Sequence, residues 1–197
     1  MQPDKLRWGY STSGNFNPKE AIGLLTKTLN VIPEAKWIKI WKGGWWPKVS
    51  IFCWLVIKRR ILTWDNLQVR GFLGPSRCCM CEEKDETINN LLDECRVANS
   101  LWERGATIFR RDHRQRGRTD LTIAEWPTNS FKNKIVNHLW EVFPSFTIWE
   151  IWKTRNKQIF DKKARKPEEM WNSIETHMKE TITLQSWTRE EFVVESN

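Results

Sequence analysis

The chain has 197 residues, 40% hydrophobic and 28% charged, which excludes a disordered tail and leaves room for one domain or two small ones. Its 32 Lys and Arg against 24 Asp and Glu give a net charge of +8, so the favoured partner is acidic: nucleic acid first, an anionic membrane second. The start, MQPDKLRWGY, has no apolar signal core, and the longest near-apolar run, residues 49–57, is too short for a bilayer, which takes ~20 residues. Five cysteines, an odd number crowded at one place, fit a reducing compartment. The expectation is a soluble intracellular protein of nucleus or cytoplasm, with no membrane partner.

Residues 1–17 are polar and turn-rich and read as an extended lead-in. Pro18 suits a first helical position with Asn17 as cap, and Ala21, Ile22, Leu24, Leu25 and Leu29 keep helical spacing until Pro33. Trp37, Ile38, Ile40 and Trp41 then interleave with Lys36, Lys39 and Lys42 in a short amphipathic turn closed by Gly43-Gly44. Pro47 can open a mostly buried helix over the apolar run 49–57, with Lys58, Arg59 and Arg60 at the end where cations oppose the dipole. Thr63 is placed to cap a shorter helix over 64–70, which Gly71 ends.

Asp85 is the expected cap of a helix over 86–93 whose inner face is Ile88, Leu91 and Leu92. The next helix, over 97–110, is expected to bury Leu101, Trp102, Ile108 and Phe109. The basic run RRDHRQRGRTD then reads as an unstructured linker, taken as 111–126. Residues 127–187 form a helical segment with Ile135, Leu139, Val142, Phe146, Trp149, Trp152, Ile159 and Phe160 along one stripe, which Pro144 should kink or split. A last helix from Pro167 carries Met170, Trp171, Ile174, Met178, Ile182 and Leu184, ahead of a frayed acidic tail over 188–197. The fold class is mainly α: short helices around a zinc-knuckle-like insert, then a helical C-terminal segment.

That insert is RCCMCEEKDETINNLLDEC, residues 77–95, with four of the five cysteines. Cys78-x-x-Cys81 can grip one soft cation, and Cys95 follows 14 residues later. Structural zinc takes four N or S ligands, commonly as one close pair and a second distant pair. Three are visible here. The competing explanation is three ordinary thiols packed near Leu91 and Leu92.

In order, Trp41-Lys42, Pro47-Lys48-Val49-x-x-Phe52-x-Trp54-Leu55, Arg60-Ile61-Leu62-Thr63-x-Asp65-Asn66-Leu67-x-x-Arg70-Gly71 and Cys78-x-x-Cys81-x4-Glu86-Thr87 form a recognisable set. The set resembles the zinc-binding domain of plant LINE-type (non-LTR retrotransposon) reverse transcriptases. The lead-in from Trp8 to Ala21 is similar to the start of that domain, placing its zinc-binding-like part at 18–110. Ile148-Trp149-x-Ile151-Trp152-Lys153-x-Arg155-Asn156-x-x-Ile159-Phe160 resembles the helical segment that follows it, ahead of an RNase H domain. The resemblance implies zinc on Cys78, Cys81 and Cys95, with a histidine as fourth ligand; here that position holds Asn90. Asparagine offers a hard, weak donor. Water, an Asp93 or Glu94 carboxylate, or Cys79 could complete the shell instead, or the site is a lapsed relic.

Catalysis is not expected. Polymerases of this kind use paired aspartates, typically in a Tyr-x-Asp-Asp turn, and the single tyrosine, Tyr10, has no such neighbours. No strand set is evident for RNase H carboxylates, and the chain reads as an excised piece of a longer polyprotein. His113, His138 and His177 lie far from the cysteines in sequence and read as ordinary histidines. The expected role is to help hold template RNA or DNA, through Lys42, Trp45, Trp46, Lys48, Lys58, Arg59, Arg60 and Arg70. Trp45 and Trp46 are the expected exposed pair; Trp54, Trp102, Trp149 and Trp152 are expected in the core. The alternative is a metal-free helical module that binds a protein partner. Beyond nucleic acid, the expected partner is the rest of a reverse transcriptase polyprotein, or none.

Overall fold

The computed structural model describes residues 7–9, 11, 13–28, 46–111 and 117–184, leaving aside the side chains of 25–28. It divides into two compact units, Met1–Ala35 and Lys36–Asn197. In the first, α1 (Pro18–Thr28) begins as its sequence predicts: the Asn17 Oδ1 accepts the Lys19 N–H at 3.0 Å. The Trp8 ring stands edge-on to Phe16, centroids 4.9 Å apart. The turn over 36–42, with Lys42 and Trp45, and the tail over 188–197 lie outside the described residues.

The second unit is helical, and among its described residues no strand forms. Its elements are α2 (Pro47–Ile57), α3 (Trp64–Val69), a π-turn (Asn90–Glu94), α4 (Arg96–Phe109), α5 (Thr119–Ala124), α6 (Lys134–Asp161) and α7 (Pro167–Thr183). The central element is α6, against which α2, α4, α7 and the π-turn pack. Trp140, Phe143, Phe146, Ile148 and Ile151 of α6 are fully buried. Around them an aromatic cluster collects Trp102, Phe109, Trp126 and Trp171, with centroid separations of 4.4 to 6.4 Å. Gly105 lets α4 close on it, because a Cβ there would lie 2.0 Å from the Phe143 ring.

Several expectations need correction. Pro144 does not split α6, which runs unbroken for 28 residues. Proline removes the amide that would bond the carbonyl four residues back, here that of Trp140. The Trp126 indole N–H donates to that carbonyl instead, at 2.9 Å. Hence the expected linker 111–126 is not a spacer throughout: α5 lies within it, and Thr119, Thr122, Ile123 and Trp126 are buried. Asp85 does not cap the helix after the knuckle. That helix starts later, and Thr87 caps it, its Oγ1 accepting the Asn90 N–H at 3.0 Å. Ile108 and Leu184 are exposed rather than core.

The tryptophans also sort differently from expectation. Trp102 is buried and Trp149 and Trp152 are half-buried against Phe52, but Trp54 is 38% exposed. Trp46 is not exposed: it is half-buried, edge-on to Phe146 at 5.8 Å and to His177 at 4.8 Å. His138 is an interface histidine, its Nε2 2.9 Å from the Thr181 hydroxyl, with burial holding its pKa below the ordinary value.

Candidate metal centre

The knuckle is built from a tight reversal. An isolated antiparallel bridge joins Arg77 and Asp85, with the Glu86 N–H on the Ser76 carbonyl at 2.7 Å and the Cys78 N–H on the Lys84 carbonyl at 2.9 Å. Glu82, at φ +58°, takes the left-handed conformation that turns the chain back after Cys81. Cys95 arrives from the other side, at the junction of the π-turn and α4. Its N–H bonds the Asn90 carbonyl at 2.7 Å, five residues back, and its own carbonyl accepts the Asn99 N–H at 2.7 Å. Cys95 is therefore the N-cap of α4.

The two approaches bring Cys78, Cys81 and Cys95 together. All three are buried, and their sulfurs lie within 4.8 Å of one another. The Cys78 thiol donates to the Cys95 sulfur at 4.0 Å. That bond, together with the Ala98 and Val97 amides at the head of α4, lowers the Cys95 pKa against the opposing effect of burial. The same bond raises the Cys78 pKa, and burial adds to it. The three convergent sulfurs are a donor set for a soft cation, whose binding would displace the thiol protons.

The other cysteines stand apart. Cys79 lies outside the cluster, and burial first, then the nearby Glu86 and Cys78, pushes its pKa up to about 12. Cys53, wholly buried, is likewise raised to about 12 by burial. Asp93 is buried, with its Oδ2 accepting the Gly117 N–H at 2.6 Å, and Glu94 is exposed, 3.6 Å from the Lys84 ammonium. Neither belongs to the ligand cluster among the described residues. Asn90 is 3% exposed, and both polar atoms of its side-chain amide lack a hydrogen-bond partner. A buried amide oxygen without a donor, on a residue whose backbone carbonyl holds the Cys95 N–H, fits a bound cation better than an apolar core.

Glu86, in the knuckle's own motif, joins this centre to the rest of the fold. Its buried carboxylate takes the Trp64 N–H at 3.1 Å, capping α3, and receives Arg155 of α6 through Nη2 at 2.6 Å and Nε at 3.1 Å. Arg155 also lies over the Trp152 ring, 5.1 Å from its centroid. Sequence reasoning places Glu86 and Arg155 in two separate motifs without pairing them. Neither stands out in the sequence, since Glu86 ends the charged run EEKDE and Arg155 lies between Lys153 and Lys157.

The expected nucleic-acid residues divide into groups. Lys58, Arg60 and Arg70 line one open cleft of about 570 Å³ with Trp54 and Leu55. Arg59 turns elsewhere, 3.6 Å from Asp120 and 3.4 Å from the Asn89 Oδ1. Lys48 is exposed, its ammonium 5.4 Å from the centre of the Trp46 ring. Arg111 bonds the Ser130 carbonyl at 3.1 Å and Arg118 lies 3.5 Å from Asp120, so these two serve the local fold.

Comparison with known proteins agrees with the geometry. Residues 16–102 match the family model described as zinc-binding in reverse transcriptase. Over 168 residues the chain is 23% identical to an Arabidopsis thaliana protein whose name assigns it provisionally to ribonuclease H. The match takes in 82% of this chain and 26% of that protein, so the chain spans about a quarter of the relative's length. No solved structure matches. No described helix is long and apolar enough to cross a membrane. Residues 16–102, in which three cysteines gather at one point, are thus similar to the reverse-transcriptase zinc-binding family.

Proposed function

We propose that this chain is a non-catalytic, retroelement-derived module that holds single-stranded RNA or DNA, with zinc as a structural cross-link. The observation that carries the binding role is the convergence of Lys58, Arg60 and Arg70 on the partly exposed Trp54. Cations there can follow a phosphate backbone while the indole face accepts a stacked base, a pairing that tolerates any sequence. Cys78, Cys81 and Cys95 would hold the zinc. When bound, the ion ties the knuckle to the head of α4, and Glu86 passes that constraint to α3 and α6. In a longer polyprotein the module would sit beside a polymerase and present template to it.

The test is binding of unrelated single-stranded RNAs by fluorescence anisotropy between ~50 and ~200 mM salt. The expected result is affinity that falls with salt in the native chain. In the triple variant Lys58→Glu, Arg60→Glu, Arg70→Glu the slope should flatten by ~0.7 for each phosphate that is no longer neutralised. Unchanged affinity and slope in that variant would overturn the assignment. A second reading, a protein-docking module, is favoured by Val69, Phe72 and Leu73, exposed at 87%, 56% and 96% beside Arg70. Salt-insensitive binding to a protein partner, with no RNA binding, would select it.

A further inference from the structure

We infer that Asn90 is itself the fourth metal ligand, so that zinc is held by three thiolates and the Oδ1 of a neutral side-chain amide. The inference rests on the metal-centre reading of residues 78–95 and deepens it. The other candidate donors are occupied or out of place. Asp93 is committed to the Gly117 amide, Glu94 is exposed near Lys84, and Cys79 lies outside the ligand cluster. No histidine of the described residues joins that cluster. What is left is Asn90, almost wholly buried, with an oxygen acceptor and an amide donor both unmatched.

An unmatched buried amide is costly, so a fold keeps one only where something satisfies it. The backbone places residue 90 to do so. The π-turn closes with the Cys95 N–H on the Asn90 carbonyl, stacking residue 90 one wide turn ahead of the ligand Cys95. Charge balance is preserved as well. Three thiolates on a divalent ion leave one net negative charge whether the fourth donor is an imidazole or an amide, so the substitution strands no extra charge in the core. What changes is donor strength. A carbonyl oxygen is a harder and weaker partner for zinc than an imidazole nitrogen, so the centre binds zinc less tightly than a three-cysteine, one-histidine shell.

The experiment is X-ray absorption on the zinc-loaded native chain, together with zinc affinity from chelator competition for the native chain, Asn90→Leu and Asn90→His. Circular dichroism of each variant confirms that the helices persist. The expected shell is three sulfurs and one oxygen. Asn90→Leu should lose the oxygen and bind on the order of 10–100-fold more weakly, while Asn90→His should bind more tightly than native with three sulfurs and one nitrogen. A four-sulfur shell, a three-coordinate shell, or an oxygen retained with unchanged affinity in Asn90→Leu would overturn the inference. So would zinc uptake by Asn90→His alone, which leaves the family's metal centre standing. No zinc in native or Asn90→His would overturn both readings together.

Discussion

Replacing Arg155 with methionine is the sharpest test of how the knuckle is held to the helical body. Methionine keeps much of the aliphatic length and removes the charge, leaving the Glu86 carboxylate 2% exposed and bonded to the Trp64 amide. Breaking a buried pair by deleting one member typically costs about 3–5 kcal/mol, because the survivor stays desolvated. Removing the cation from the face of the Trp152 ring adds about 0.5–1 kcal/mol. Against a whole-domain stability of about 5–15 kcal/mol this is a large fraction. At roughly 2–4 °C per kcal/mol for this chain length, 3–5 kcal/mol lowers Tm by roughly 6–20 °C. Urea unfolding followed by tryptophan fluorescence reads the loss directly. The double variant Glu86→Gln with Arg155→Met should recover part of it, since no unpaired charge then remains buried. An Arg155→Met variant that loses under about 1 kcal/mol, or a double variant that is merely additive, would refute the account of a buried, interdependent pair.

Two further outcomes follow from the same core. Trp126→Phe removes the donor that satisfies the Trp140 carbonyl beneath Pro144, so it should cost about 1–3 kcal/mol beyond the packing change. Pro144→Ala restores a backbone N–H for that carbonyl and should reduce the penalty by about 1 kcal/mol, measured by the same urea midpoints. His138 is kept neutral by burial, its pKa below the ordinary 6.5, while Glu141 pulls weakly the other way. The unfolded chain therefore takes up the proton first, and stability falls as pH drops below about 6.5 and through the lower folded pKa. Urea midpoints should fall more between pH about 7.5 and about 5 in the native chain than in His138→Gln, and equal falls would remove His138 as the cause.

Much of this architecture is legible from periodicity. Pro18 with Asn17, Pro47 and Pro167 mark three helix starts correctly, because proline at a first position and a short polar cap are local chemistry. The cysteine spacing announces the cluster for the same reason. What escapes is tertiary. No local rule says that Pro144 will be tolerated, since the Trp140 carbonyl it leaves unbonded finds a donor in the Trp126 indole, 14 residues away in sequence. The basic run hides α5, whose Thr119, Thr122 and Ile123 are too few to show a period between charged neighbours. Trp46 beside glycines looks exposed, yet it packs on Phe146 and His177, 100 and 131 residues further along the chain. Glu86 and Arg155 each look like surface charge until 69 residues of separation are folded away.

The π-turn sets a rule about chain length. An ordinary α-helix turns about 100° per residue, so the single residue by which an i→i+5 closure exceeds an i→i+4 one is a rotational offset. Between Asn90 and Cys95 that offset sets the direction in which Cys95 enters α4. Deleting one residue from 90–94 would give a more regular helix and a worse protein. The backbone ladder would improve while Cys95 swung about a quarter-turn away from Cys78 and Cys81. Here substitutions are easier to accommodate than insertions or deletions, and an irregular turn preserves the count of residues between two ends of one cluster.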